Sequence, residues 1–170
     1  ATASTMANDL GFDIIKKTKT KIPFKIFSLT DNNPVITAIS NDVGYVNVLI
    51  NQLKIHHKKK DIAIMISASG NSKNLIKATK WIKAKGGYVF SFLGFDGGIL
   101  KKISNDYILV KSIKGEYGPV EDIHLMINHI LAHWFQEKFN KWNYWTYRVQ
   151  ILKCKRIIIN ITIIYKQLIF

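Results

Sequence analysis

Apolar residues fall in two rhythms along this chain, short unbroken runs and longer stretches spaced three to four apart, and the two alternate. Asp61–Ile66 and Tyr88–Leu93 are runs of the first kind, with Lys25–Thr30 and Tyr107–Val110 as shorter versions, and each predicts a strand. Helical spacing begins near Lys73, where Leu75, Ile76, Trp81 and Ile82 form one side and Gly86-Gly87 the stop. Residues 3–20 predict a helix entering a basic loop that Pro23 breaks. Asp31-Asn-Asn-Pro34 signals a turn with proline placed to open a helix, whose apolar side is Ile36 and Ile39 and whose end is Asn41–Gly44. Another helix is predicted over 45–57, and a long one from close to Pro119 through Trp134. Strands alternating with helices at this spacing predict an α/β fold: a parallel sheet with helices on both faces, a three-layer αβα sandwich. At 170 residues the chain is enough for one such domain with a proper core.

Between the strand at 61–66 and the helix near Lys73 stands Ser67-Ala-Ser-Gly-Asn-Ser72. The first turn of a helix has backbone N–H groups without intrahelical partners and a partial positive charge, so it attracts anions. Ser67, Ser69 and Ser72 add O–H donors, and Gly70 removes a Cβ that would block close approach. The junction lies at the carboxyl end of a strand, where ligands of open α/β sheets bind. A single serine would serve as an ordinary helix cap. Three serines with a glycine favour a phosphate site, and hence a phosphorylated small molecule.

The net charge is +14, which alone would suggest nucleic acid or an anionic surface. Its distribution argues otherwise. Residues 138–170 hold seven Lys/Arg and no acid, while residues 1–137 hold eighteen against eleven acids. The densest cluster, Lys54–Lys60, precedes a strand, has no stacking aromatics beside it, and reads as a solvated turn. Nucleic acid is therefore not expected as a partner, nor is a membrane, since no apolar run approaches the ~18 residues of a span. The single Cys154 excludes an intramolecular disulfide and fits a reducing cytoplasm. From Lys138 the character changes: Trp142, Tyr144, Trp145 and Tyr147 crowd together, and Ile157–Ile164 is a β-prone, uncharged block. Residues 1–137 thus read as the domain and 138–170 as a basic, aromatic and Ile-rich extension of open role. The chain opens on Ala1, inside what looks like a helix, and N-terminal sequence is expected to be missing.

Five stretches, Ala1–Leu10, Ser40–Tyr45, Ile66–Ser72, Leu93–Gly98 and Val120–His129, stand in an order and at gaps that carry a further reading. Together they resemble the sugar-isomerase (SIS) domain family, and within it the phosphoheptose isomerases, or sedoheptulose 7-phosphate isomerases. The resemblance spans roughly residues 1–137. It implies an SIS-type, flavodoxin-like αβα fold and an aldose–ketose isomerisation of sedoheptulose 7-phosphate to a heptose 7-phosphate for surface polysaccharide. It also implies a cytoplasmic homotetramer with sites between subunits, zinc as a cofactor, and no nucleotide cofactor. A Gly-rich loop that the family carries just upstream of the position of Ala1 is absent.

Carried over by position, the resemblance implies that Ser67, Ser69 and Ser72 hold phosphate, with Asn71 shaping the loop. Ala68 stands where many relatives have a hydroxyl. Asn41 and Asp42 match sugar contacts. Asp9 takes the place of a glutamate that is base and metal ligand, and His129 matches a histidine that is acid/base and ligand. Glu121 stands for a glutamine that contacts substrate and metal, while Thr5 replaces a histidine ligand. Thr5 and Asp9, four apart, share a helix face, but threonine is a poor zinc ligand. Glu121 and His129 are separated by about 12 Å of helix rise. The metal set Asp9, Glu121 and His129 therefore leaves zinc dependence open. His124 and His133 default to structural or surface positions, Gly94–Gly98 to a tight turn, and Trp134, Trp142 and Trp145 to packing. A non-catalytic SIS module that senses a phosphosugar or binds a protein, as the replication-initiator-associating relatives do, is the alternative function.

Overall fold

The computed structural model describes residues 1–18 and 24–140. Helices α1 (Thr2–Asn8) and α2 (Ile14–Lys17) are joined by a π-helical turn over Asp9–Asp13, which together replace the single helix expected over 3–20. The interruption has a reason in spacing. Met6, Leu10 and Ile14 are all buried and recur every fourth residue. In an α-helix such positions drift by about 40° per step, and one wider turn brings them back into line.

Helix α3 (Asn33–Val43) starts where the turn signal placed it, with Asn32 Oδ1 accepting from Val35 N at 3.1 Å. A 3₁₀ turn (Tyr45–Asn47) leads into α4 (Val48–His56). Then come β1 (Ile62–Ser67), α5 (Lys73–Ala84), β2 (Tyr88–Gly94), α6 (Gly98–Ile103), β3 (Asp106–Val110) and α7 (Tyr117–Asn140). The three strands form one parallel sheet in the order β1-β2-β3, with Ile62 opposite Tyr88 and Phe90 opposite Asp106.

Strand β2 is central and buried on both faces, and its alternation divides the core. Phe90 and Phe92 pack with Met6, Leu10, Ile14, Leu131, Ala132 and Phe135 beneath α1, α2 and α7. Val89 and Leu93 pack on the other side with Met65 of β1 and with Leu53, Ala78, Ile82 and Leu100 from α4, α5 and α6. This is the αβα sandwich of the sequence reading.

Lys25–Thr30 forms no strand of that sheet, which corrects the expectation there. Phe24 and Ile26 pack on the first core and Leu29 on the second, so the segment serves both layers with its side chains. Its Leu29 carbonyl accepts from the buried Gln52 Nε2 at 3.0 Å, a side-chain partner in place of a strand ladder. Helix α6 was not foreseen: its six residues are too few for a periodicity to stand out beside the glycine turn. Helix α7 continues six residues past Trp134. Trp142, Trp145, Cys154 and the 157–164 block lie outside the described residues.

Candidate functional site

The serine loop leaves the carboxyl end of β1 and enters α5 at Ser72, as its composition predicts. Its three hydroxyls are not equivalent. Ser67 is buried, and its Oγ accepts from Gly70 N at 3.0 Å, closing the loop on itself. Ser69 Oγ accepts from Asn71 N at 3.3 Å. Ser72 is exposed at the N-cap position and makes no side-chain capping bond. Ser72 and the start of α5 therefore face outward, the kind of helix terminus that suits an anion, while Ser67 builds the loop.

A second loop braces the first. Gly94 N donates to Ala68 O at 2.9 Å and Leu100 N to Gly70 O at 2.9 Å. Asn71 works in both directions, with Nδ2 donating to Ser69 O at 3.0 Å and Oδ1 accepting from Ile99 N at 3.1 Å. Asn71 thereby ties the serine loop to the bracing loop. Gly70 has φ +63°, and a Cβ there would lie 2.0 Å from Gly97 O. Glycine is thus required at position 70 by the bracing loop itself, a different reason from the ligand approach read from the sequence. The Gly94–Gly98 turn, closed by Gly97 N to Gly94 O at 2.8 Å, is the brace.

Beside the start of α5 opens a cavity of about 550 Å³, walled by Leu29, Thr30, Ile36, Tyr45, Val46 and Leu49 and ended by Ser72, Lys73 and Asn74. Its walls are mainly apolar and its polar end coincides with the helix terminus and the Lys73 cation. Asn41 and Asp42 sit at the exposed end of α3, where Asn41 Nδ2 approaches Asp42 Oδ1 at 3.3 Å; they do not line this cavity.

Asp9 and His129 come together elsewhere. Asp9 begins the π turn, and its Oδ2 lies 3.7 Å from His129 Nε2 on α7. The same oxygen accepts from Asn128 Nδ2 at 2.7 Å, and Oδ1 from Asn8 Nδ2 at 3.2 Å. Asn128, fully buried, was missed by sequence reasoning; a polar residue in the core stripe of α7 was the available signal. His124 is also buried, with Nε2 3.0 Å from Leu93 O. Its pKa is lowered, chiefly because burial penalises the charged ring, against opposing effects of the Leu93 carbonyl and Glu121. The structural role expected for His124 fits this position.

Helix α7 runs down β2 from its carboxyl end: Val120 abuts Gly94, His124 meets Leu93, and Leu131 packs with Phe90. Nine residues separate Val120 from His129, roughly 13 Å of helix. His129 also points away from the core, with about half its side chain exposed (53%). Within one chain, then, the serine loop and the Asp9–His129 pair occupy different levels of the fold.

The described residues do not form a zinc shell within one chain. Among the described residues no three His, Cys, Asp or Glu side chains converge, and Glu121 is not brought to Asp9 and His129. Thr5 Oγ1 donates to Ala1 O at 3.2 Å, so its hydroxyl serves the helix. Asp9 and His129 alone fall short of the three or four protein ligands that zinc takes.

No family model matches the chain. Among curated proteins it is similar to a phosphoheptose isomerase of Helicobacter pylori, 36% identical over 112 residues, which are 66% of this chain and 57% of that protein. A probable phosphoheptose isomerase of Thermoplasma acidophilum is 34% identical over 121 residues, 71% of this chain and 65% of that protein. The chain thus spans between half and two thirds of the length of these relatives. Among solved structures, a phosphoheptose isomerase from Neisseria gonorrhoeae superposes with a TM-score of 0.68 at 24% identity, covering 78% of this chain and 68% of that one. One from Francisella tularensis gives 0.66 at 22% identity, covering 80% and 72%. At these identities the structures establish the SIS-type α/β fold.

Proposed function

We propose that this chain, a homologue of the phosphoheptose isomerases with their SIS-type α/β fold, binds a phosphorylated ketose and isomerises it to the aldose. The observation that carries the reading is the serine loop. It presents Ser72 and the N-terminus of α5 beside a cavity of sugar-phosphate size, and Ser69 is proposed to join them on the phosphate. Sedoheptulose 7-phosphate is the substrate that the resemblance over the five matched stretches implies, in keeping with similarity to phosphoheptose isomerases. Asn41, Asp42 and Glu121 are proposed as sugar contacts.

In this reading the phosphate anchors one end of the ketose and the reaction takes place at the other. A carboxylate takes the proton from C1, the carbonyl oxygen at C2 receives one, and an enediol forms. Loss of the O1 proton with delivery of a proton to C2 then yields the aldose, with no net gain or loss. Asp9 is assigned the carbon proton and His129 the oxygen protons, since acid–base chemistry of this kind needs two groups within reach of adjacent atoms. No step is routed through zinc.

The two halves of this machinery lie at different levels of one chain, so the site is proposed to be shared between copies. The surroundings of His129 support this. Ile123, Met126 and Ile130 on α7, the helix of His129, with Phe12 in the π turn that Asp9 begins and Ile15 just after it, are large apolar groups left exposed. A homotetramer is the assembly proposed.

Incubating the full chain with sedoheptulose 7-phosphate and following aldose formation, with and without added zinc, tests the proposal. Turnover is expected. Phosphosugar binding with no turnover under either condition would restore the sensing alternative, and absence of binding would remove the phosphosugar reading altogether.

A further inference from the structure

Asn128 presents a problem that packing does not solve. Its neighbours on the core side of α7 are Leu131, Ala132 and Phe135, with Met6 and Leu10 opposite, and an aliphatic side chain would suit that setting. Instead an amide is buried with no exposed surface, and its Oδ1 has no hydrogen-bond partner. Burying an amide half-satisfied is unfavourable, so the other half of the group must account for it. That half is the 2.7 Å bond from Nδ2 to Asp9 Oδ2. The amide cannot be reversed, because its oxygen would then face a carboxylate oxygen.

One helical turn earlier stands His124, buried like Asn128. Its Nε2 faces the Leu93 carbonyl and must carry the proton, leaving Nδ1 as an acceptor, and Nδ1 is likewise without a partner. Positions 124 and 128 share a helix face. An acceptor has no proton to give Oδ1, so the one hydrogen bond of the buried amide is the one Nδ2 makes to Asp9.

We propose that Asn128 is the positioning residue for Asp9: its buried amide holds the carboxylate oxygen that lies beside His129 in the orientation from which Asp9 exchanges the substrate proton. This rests on the isomerase reading above. Asp9 is a short carboxylate on a π-helical turn, and the Asn8 bond to its other oxygen, at 3.2 Å, is the longer one. Asn128, anchored in the core, is the firmer hold.

The test is Asn128→Leu, which keeps the volume and removes the donor. In the full chain kcat for sedoheptulose 7-phosphate is expected to fall roughly 100-fold, the order seen for small misplacements of reacting groups. KM should stay within about threefold, because the phosphate anchor is elsewhere, and the melting temperature should hold or rise. A kcat within twofold of the parent overturns the proposal, as does a loss confined to KM.

A second measurement is independent of turnover and of that variant's folding. The Asn128 side-chain amide protons, followed by ¹⁵N-resolved hydrogen exchange, should be protected in the parent and lose protection in Asp9→Ala. Free exchange in the parent overturns the proposal even if the enzyme is active. Protected protons in a chain that turns over no ketose would mean that Asn128 holds Asp9 and that the isomerase reading has failed.

Discussion

The serine loop and the Asp9–His129 pair are built in opposite ways. The loop is closed by neighbours in sequence and braced by backbone groups of Gly94–Leu100, so its shape depends on glycines and main-chain bonds. The pair is held by side chains from a π turn and a distant helix, with Asn128 bonding Asp9 across 119 residues of sequence. The loop should therefore tolerate loss of an outward hydroxyl but not of a glycine. The pair should tolerate no change of chemistry, while its backbone is indifferent to it.

The largest effect is expected at the pair. Asp9→Asn keeps an acceptor for Asn128 but cannot take a proton. Turnover of sedoheptulose 7-phosphate should drop about 10³-fold, or roughly 4 kcal/mol of barrier. Calorimetric titration with the same ketose phosphate should show binding close to the parent's. If binding disappears along with turnover, the division into an anchoring half and a reacting half is wrong.

Next comes the loop's frame. Gly70→Ala would place a Cβ 2.0 Å from Gly97 O at a backbone angle that L-residues rarely adopt. A cost of about 3 kcal/mol in urea unfolding is expected, with loss of phosphosugar binding as the brace separates. Unchanged unfolding would mean that the two loops are not locked together.

The hydroxyls then sharpen the comparison within the loop. Ser72→Ala removes no capping bond, so stability should be unaffected while ketose phosphate affinity falls about tenfold, as for one hydrogen bond to a charged group. Ser67→Ala should do the reverse, costing about 1 kcal/mol of stability because the Gly70 N–H loses its partner. Equal behaviour of the two serines in paired titrations and melts would contradict the assignment of one to building and the other to binding.

The same contrast explains what was legible in the sequence. The strand, serine loop and helix at 62–84 are local, and hydrophobic rhythm with turn chemistry specifies them almost to the residue. Lys25–Thr30 has strand-like composition but no ladder, because composition reports what a strand tolerates and not whether the segment docks on a sheet edge; here its side chains pack on both core layers instead. Asn128 could not be assigned because its purpose lies in a contact with Asp9 that only the docking of α7 on the π turn creates. Ser67 was recognised as belonging to the loop, but whether a serine turns inward or outward depends on Gly70's left-handed backbone.

The smallest effect concerns His124, which lies between the two regions with Nε2 on the Leu93 carbonyl. Burial lowers its pKa below the ordinary 6.5, so the unfolded chain binds its proton more readily than the folded one. The stabilisation from keeping this ring neutral is complete above about pH 6.5 and is lost as pH falls from there through the lower folded value. The Leu93 carbonyl and Glu121 oppose the shift, so the loss is complete at a higher pH than burial alone would set. His124→Gln retains a donor for Leu93 O and does not titrate. Urea unfolding of parent and variant between pH 7.5 and 5 should therefore show the parent losing stability relative to the variant as pH drops. Parallel curves would mean that the ring accepts its proton without being forced from the core, and that the junction between loop and helix is looser than the contact with Leu93 implies.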